Sequence, residues 1–109
     1  MTFHLIVTEQ AEEDLIRIGD WIAERSPDGA ARWLEAARKT IRSLREGARG
    51  CSLAPENEFV SQEVRSTVFK TRRGRYYRIV FIINGDRVIV THIRGPGQAD
   101  VSPEDFDRK

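Results

Sequence analysis

The sequence is poor in the residues that cross-link a chain, and it has no stretch suited to a membrane. It holds one cysteine, Cys51. A lone thiol cannot form a disulfide within the chain and fits a reducing compartment. With no histidine or other base beside it, Cys51 reads as an incidental loop residue. No apolar run approaches the roughly 20 residues that a membrane span requires; Ile79–Ile83 is the longest near the centre. No basic segment followed by an apolar one precedes the first strand, so no signal peptide is expected and the cytoplasm is the expected location. There is no internal repeat and no low-complexity segment. The formal net charge is only +1, which excludes a uniform polycation.

What charge there is lies unevenly. Glu9 to Arg25 holds six acids against two bases. Val64 to Arg78 holds six bases, Arg65, Lys70, Arg72, Arg73, Arg75 and Arg78, and no acid. The end of the chain turns acidic again through Asp100, Glu104, Asp105 and Asp107. A near-neutral total therefore hides a local basic patch, and such a patch is what meets a partner.

The 109 residues suit one domain, 1–109, with a flexible tail over 95–109. Phe3–Val7 reads as a short edge or flanking strand, with His4 a partly exposed member. Thr8 suits an N-cap, and Ala11, Leu15, Ile18 and Ile22 recur on one helical face. That helix ends near Arg25. Ser26 can cap a second helix, with Pro27 at its first position, where a missing N–H costs nothing. Ala30, Leu34, Ala37, Ile41 and Leu44 mark its buried face, Trp33 borders it, and Gly47 suits its C-terminal cap. Both Trp21 and Trp33 read as packing residues rather than as a base-stacking platform. The short link makes the helices an antiparallel hairpin. Ala48–Gln62 reads as one long connection whose acids, Glu56 among them, are surface charge. Three strands follow, Arg65–Lys70, Arg75–Ile83 and Arg87–Arg94. The predicted fold is α+β, in the order β-α-α-β-β-β, an antiparallel sheet with the N-terminal helical hairpin packed on one face.

Side chains alternate across a strand. A three-residue loop, Asn84-Gly85-Asp86, sets Arg78 opposite His92 and gathers Arg78, His92, Arg94 and Tyr76 on the face away from the helices. A two-residue loop would part Arg78 from His92. Such a cluster suits RNA: arginines hold phosphates through paired N–H donors, and a tyrosine can stack a base. Cleavage through a 2′-OH needs proton transfer and positive charge at the phosphate. His92 is the residue of this region that titrates near neutrality, and Arg78 and Arg94 can supply charge. The plainer alternative is a basic sheet that aids solubility or receives an acidic partner.

Several stretches together resemble one family. These are Thr8, Glu9, Ala11, Glu12, Asp14 and Leu15; Ala31 to Leu34; Ala54 to Asn57; Arg75 to Phe81; and Gly85 to Arg94. In this order they resemble the RelE/ParE toxin superfamily of bacterial type II toxin–antitoxin systems. The resemblance implies a growth-inhibiting toxin, of the sort linked to plasmid stabilisation, held inert by a cognate antitoxin encoded beside it. It leaves two activities open. RelE-like members cut mRNA on the ribosome without a metal, and ParE-like members bind and poison DNA gyrase. A third possibility is a relative that only binds its antitoxin.

As a nuclease, the resemblance implies Arg78, His92 and Arg94 as catalytic residues. Lys70, Arg72, Arg73, Arg75 and Tyr76 would bind RNA or phosphate. No cofactor, metal or membrane partner is implied. The chain also departs from the nuclease pattern. Many relatives read Arg-His-Gly-Ala-Arg where Arg94 to Gln98 stand here, and the tail has no tyrosine. Its aromatic residue, Phe106, cannot donate a proton.

Overall fold

The computed structural model describes residues 2–72 and 74–106. The chain runs β1 (His4–Val7), α1 (Glu9–Ala23), α2 (Pro27–Gly47), β2 (Ser52–Leu53), β3 (Glu63–Phe69), β4 (Tyr77–Asn84), β5 (Arg87–Arg94) and α3 (Pro103–Phe106). Short 3-10 turns occupy Ala48–Gly50 and Pro55–Phe59. The strands form one sheet in the order β1-β5-β4-β3-β2. The class is α+β as predicted, but the sheet is mixed. β1 runs parallel to β5, and the other neighbours pair antiparallel. No hairpin turn ties β1 to β5, so the pair is free of the antiparallel direction that a tight hairpin imposes. Leu5 and Val7 pack against the main core. The expected long connection also contains β2, which pairs Ser52 with Ser66 and Leu53 with Arg65.

Both helices begin where the sequence places them. Thr8 Oγ1 accepts the Ala11 N–H at 3.1 Å, and Ser26 Oγ accepts the Gly29 N–H at 3.0 Å. α1 buries Ala11, Asp14, Leu15 and Ile18. α2 buries Trp33, Ala37, Ile41 and Leu44. The stripe on α2 is rotated from the one expected, for Trp33 is 2% exposed and Leu34 is 36% exposed. Trp33 sits 5.7 Å from Phe69 and 5.2 Å from Tyr77, ring centre to ring centre. These aromatic contacts outweigh the burial of one leucine. Trp21 also departs from expectation: it is 54% exposed. Ile22 takes the place against the core and turns Trp21 outward, where the Arg25 guanidinium lies 3.8 Å from its ring centre. Gly47 does not act as a left-handed cap. Its φ is −104°, and the chain passes through it into the 3-10 turn.

The β4–β5 connection is a two-residue loop rather than three. Asn84 pairs with Arg87, leaving Gly85 and Asp86 as the turn. Gly85 has a φ of 62°, as the first central residue of a type II′ turn requires. That loop alone would split the expected cluster. The register then shifts, however: Phe81 faces Val90, Val80 faces His92, and Arg78 faces Arg94. Thr91 is the extra residue of a β-bulge, and it reverses the alternation beyond it. Arg78 therefore lies opposite Arg94, not His92, while Arg78, His92 and Arg94 still share the face away from the helices. The start of α1 holds this bulge. Thr8 Oγ1 donates to the Thr91 carbonyl at 3.2 Å, and Thr91 Oγ1 donates to the Val80 carbonyl at 3.3 Å.

The main core lies between the helices and the sheet face bearing Phe69, Ile79, Phe81, Ile83, Val88, Val90 and Ile93. The opposite face carries a smaller apolar cluster of Ala54, Val64, Val80, Ile82 and Val101, with Val60 and Phe106 against it. The C-terminal segment thus lies over part of the face on which the candidate site was expected.

Candidate functional site

The outer face of β4 and β5 brings Arg78, His92 and Arg94 together and gives each a different environment. Arg78 donates from Nη1 to Glu56 Oε1 at 2.8 Å and from Nη2 to Glu56 Oε2 at 2.6 Å. Asp100 Oδ1 lies 3.4 Å from the same Nη2. Glu56 is 1% exposed, and its Oε2 also accepts the Val101 N–H at 2.9 Å. It is not the surface charge expected for the connection. Nothing local marked it, because an isolated acid in an aperiodic loop has no periodicity that assigns it a side. Burial by itself would raise the Glu56 carboxyl. Hydrogen bonds from Arg78 and the Val101 N–H outweigh that, and its pKa falls below the ordinary carboxylate value. The Glu56 hydrogen bond in turn raises Arg78 above the usual guanidinium value. This fork-to-fork pair clamps the 55–59 turn and the tail to the sheet.

His92 is 5% exposed, and its ring meets Phe106 edge-on at 5.4 Å. Burial, then the neighbouring Arg94 charge, push its pKa below the ordinary histidine value, against weaker opposing effects of Asp14, Asp105 and Glu56. Its Nδ1 and the Nε of Arg94 are buried and have no hydrogen-bond partner among the described residues. Both residues line an open cleft of about 660 Å³ that also takes in Glu13, Asp14, Asp105 and Phe106. The cleft is therefore mixed in charge rather than basic.

The other bases of the run do not join this site. Arg65 turns to the helix side and pairs with Glu63 at 2.7 Å. Lys70 Nζ lies 5.2 Å from the Tyr76 ring centre, and Tyr76 is 60% exposed. Arg72 is exposed, and Arg73 lies outside the described residues. Arg75 lines a separate groove beside the helical hairpin. One basic stretch thus has members on both faces and at the end of the sheet.

Sequence reading passed over Asp14, which is fully buried. Its Oδ2 accepts the Ile93 N–H at 2.9 Å, and its Oδ1 accepts Gln10 Nε2 at 3.0 Å. A signal existed: position 14 falls on the apolar stripe of Ala11, Leu15 and Ile18, where a carboxylate requires a buried partner. Among the described residues no group of three or more His, Cys, Asp and Glu side chains is placed to hold a metal ion. None of the described helices is long and apolar enough to cross a membrane.

A family model described as the ParE toxin of type II toxin–antitoxin systems, parDE, matches residues 5–99. A search of curated proteins gives no match.

Proposed function

Because the chain belongs to the ParE toxin family of type II toxin–antitoxin systems, we propose that it stops growth by binding DNA gyrase, without cutting nucleic acid itself. Family membership implies a cognate antitoxin as its partner. The observation that carries the gyrase reading is the closure of Arg78. A nuclease built on this sheet needs that guanidinium to meet a phosphate, yet both of its terminal nitrogens are given to buried Glu56. Releasing it strands a buried carboxylate, at a cost of about 3–5 kcal/mol. A toxin that acts by docking needs no such release.

One observation favours a second reading, a ribosome-dependent mRNA endonuclease. His92 and Arg94, each with an unpartnered buried nitrogen among the described residues, line one cleft, where His92 would move a proton while Arg94 held phosphate. Induction of the chain in cells, following translation, mRNA integrity and DNA damage together, separates the two. The gyrase reading expects a DNA-damage response with intact mRNA. Immediate translational arrest with cuts at ribosome-occupied codons overturns it in favour of the second reading.

A further inference from the structure

A second concave surface adjoins the His92 cleft and shares Arg17 with it. It is an open groove of about 880 Å³ between the turn of the helical hairpin and the adjoining end of the sheet. Trp21, Trp33 and Tyr77 line it, together with Arg17, Arg32 and Arg75, and among the described residues no Asp or Glu does. In a chain of formal net charge +1, this is a concentrated positive surface. Arg17 is bridged to Asp14 at 3.3 Å. Arg32 and Arg75 are exposed and have no ion-pair partner among the described residues.

The aromatic side of the groove is equally specific. Trp21 is 54% exposed, unusual for so large an apolar ring, and carries Arg25 stacked over it at 3.8 Å. Trp33 is 2% exposed, and its buried Nε1–H has no hydrogen-bond partner among the described residues. Such a donor is costly unless something supplies an acceptor. The exposed Trp21 ring and the guanidinium groups match planar bases and anionic phosphates. An apolar peptide would find little exposed aliphatic surface here, since Ile18 is buried and Ile22 partly so.

We propose that this groove binds a single-stranded nucleic acid segment, with phosphates on Arg32 and Arg75 and a base stacked on Trp21. Aromatic platforms beside cationic side chains are how proteins hold single strands without reading sequence. The site neither requires nor excludes gyrase as the target. It does no chemistry. Nothing in it selects for or against a 2′-hydroxyl, so DNA and RNA strands are both expected ligands.

The test is fluorescence anisotropy of the full chain with labelled 12-mers of thymidylate and uridylate, and with a duplex of the same length. Two phosphate contacts predict a weakening of roughly sevenfold between 50 and 200 mM salt, from a slope of about −0.7 per contact. Arg32→Ala combined with Arg75→Ala should remove most of that salt dependence. Trp21→Ala should weaken binding by about tenfold, as loss of one stacked base does. These residues are exposed, so the variants should keep the parent's circular dichroism and melting temperature. Arg42→Ala with Arg45→Ala, which removes equal charge farther along α2, should leave affinity within about twofold. Equal binding of the duplex, equal loss in that control pair, or no binding of either single strand overturns the proposal. So does an acidic, tryptophan-containing peptide that binds the groove when the oligonucleotides do not, since the occupant is then a protein.

Discussion

Asp14 in α1 accepts the backbone N–H of Ile93 in β5 across 79 residues of sequence. The bond lies two residues beyond the Thr91 bulge, and with Thr8 it ties the start of α1 to the irregular part of β5. Asp14→Ala leaves that buried N–H without an acceptor and should cost about 1–3 kcal/mol. Urea unfolding checks it. A change under about 0.5 kcal/mol, the range of an ordinary surface substitution, would show that the bond does not hold the bulge.

The Arg78–Glu56 pair predicts a non-additive mutant cycle. Arg78→Met strands Glu56 and should cost about 3–5 kcal/mol, while Arg78→Met with Glu56→Leu should recover most of the loss. A coupling energy near zero in denaturant titrations would remove the pair as the clamp.

Stability should fall with acid in two stages. His92 has a folded pKa below its ordinary value of 6.5. The unfolded chain therefore takes up the proton first, so this contribution is complete above about 6.5 and is lost as pH falls through the lowered folded value. Glu56 has a folded pKa below its ordinary value of 4.5. Its contribution is complete above that value and disappears at still lower pH, as the folded carboxylate is protonated. Melting temperature against pH in the parent and in His92→Gln checks the order. The variant should be flatter in the first window and unchanged in the second.

The two tryptophans should separate cleanly. Trp33→Ala empties the contact with Phe69 and Tyr77 and should cost about 3–5 kcal/mol. Trp21→Ala, at a largely exposed ring, should stay within about 0.5 kcal/mol. Comparable losses in chemical denaturation would mean that Trp21 is buried in solution.

Much of the architecture was readable locally. Thr8, Ser26 and Pro27 marked the helix starts because capping is satisfied within three residues. The alternation of Tyr77, Ile79, Phe81 and Ile83 marked the face that meets the helices. Of the expected cluster, only the shared face of three residues was legible, and Tyr76 stands apart beside Lys70. Arg78, His92 and Arg94 do share a face, but by way of a two-residue loop and a bulge at Thr91 rather than a three-residue loop. A bulge leaves little trace in composition, since Thr suits a regular strand equally well.

The sequence by itself determined the α+β class, the helical hairpin, the three long strands and the concentration of basic residues before β4, because these follow from period, caps and charge within short windows. Only the tertiary structure decided what those bases face. Arg78 meets Glu56 from 22 residues away, Arg75 turns to the helical groove, and β1 lies parallel to β5. Each depends on which distant segments pack together, and burial of a carboxylate or a ring is a property of that packing rather than of its neighbours in the chain.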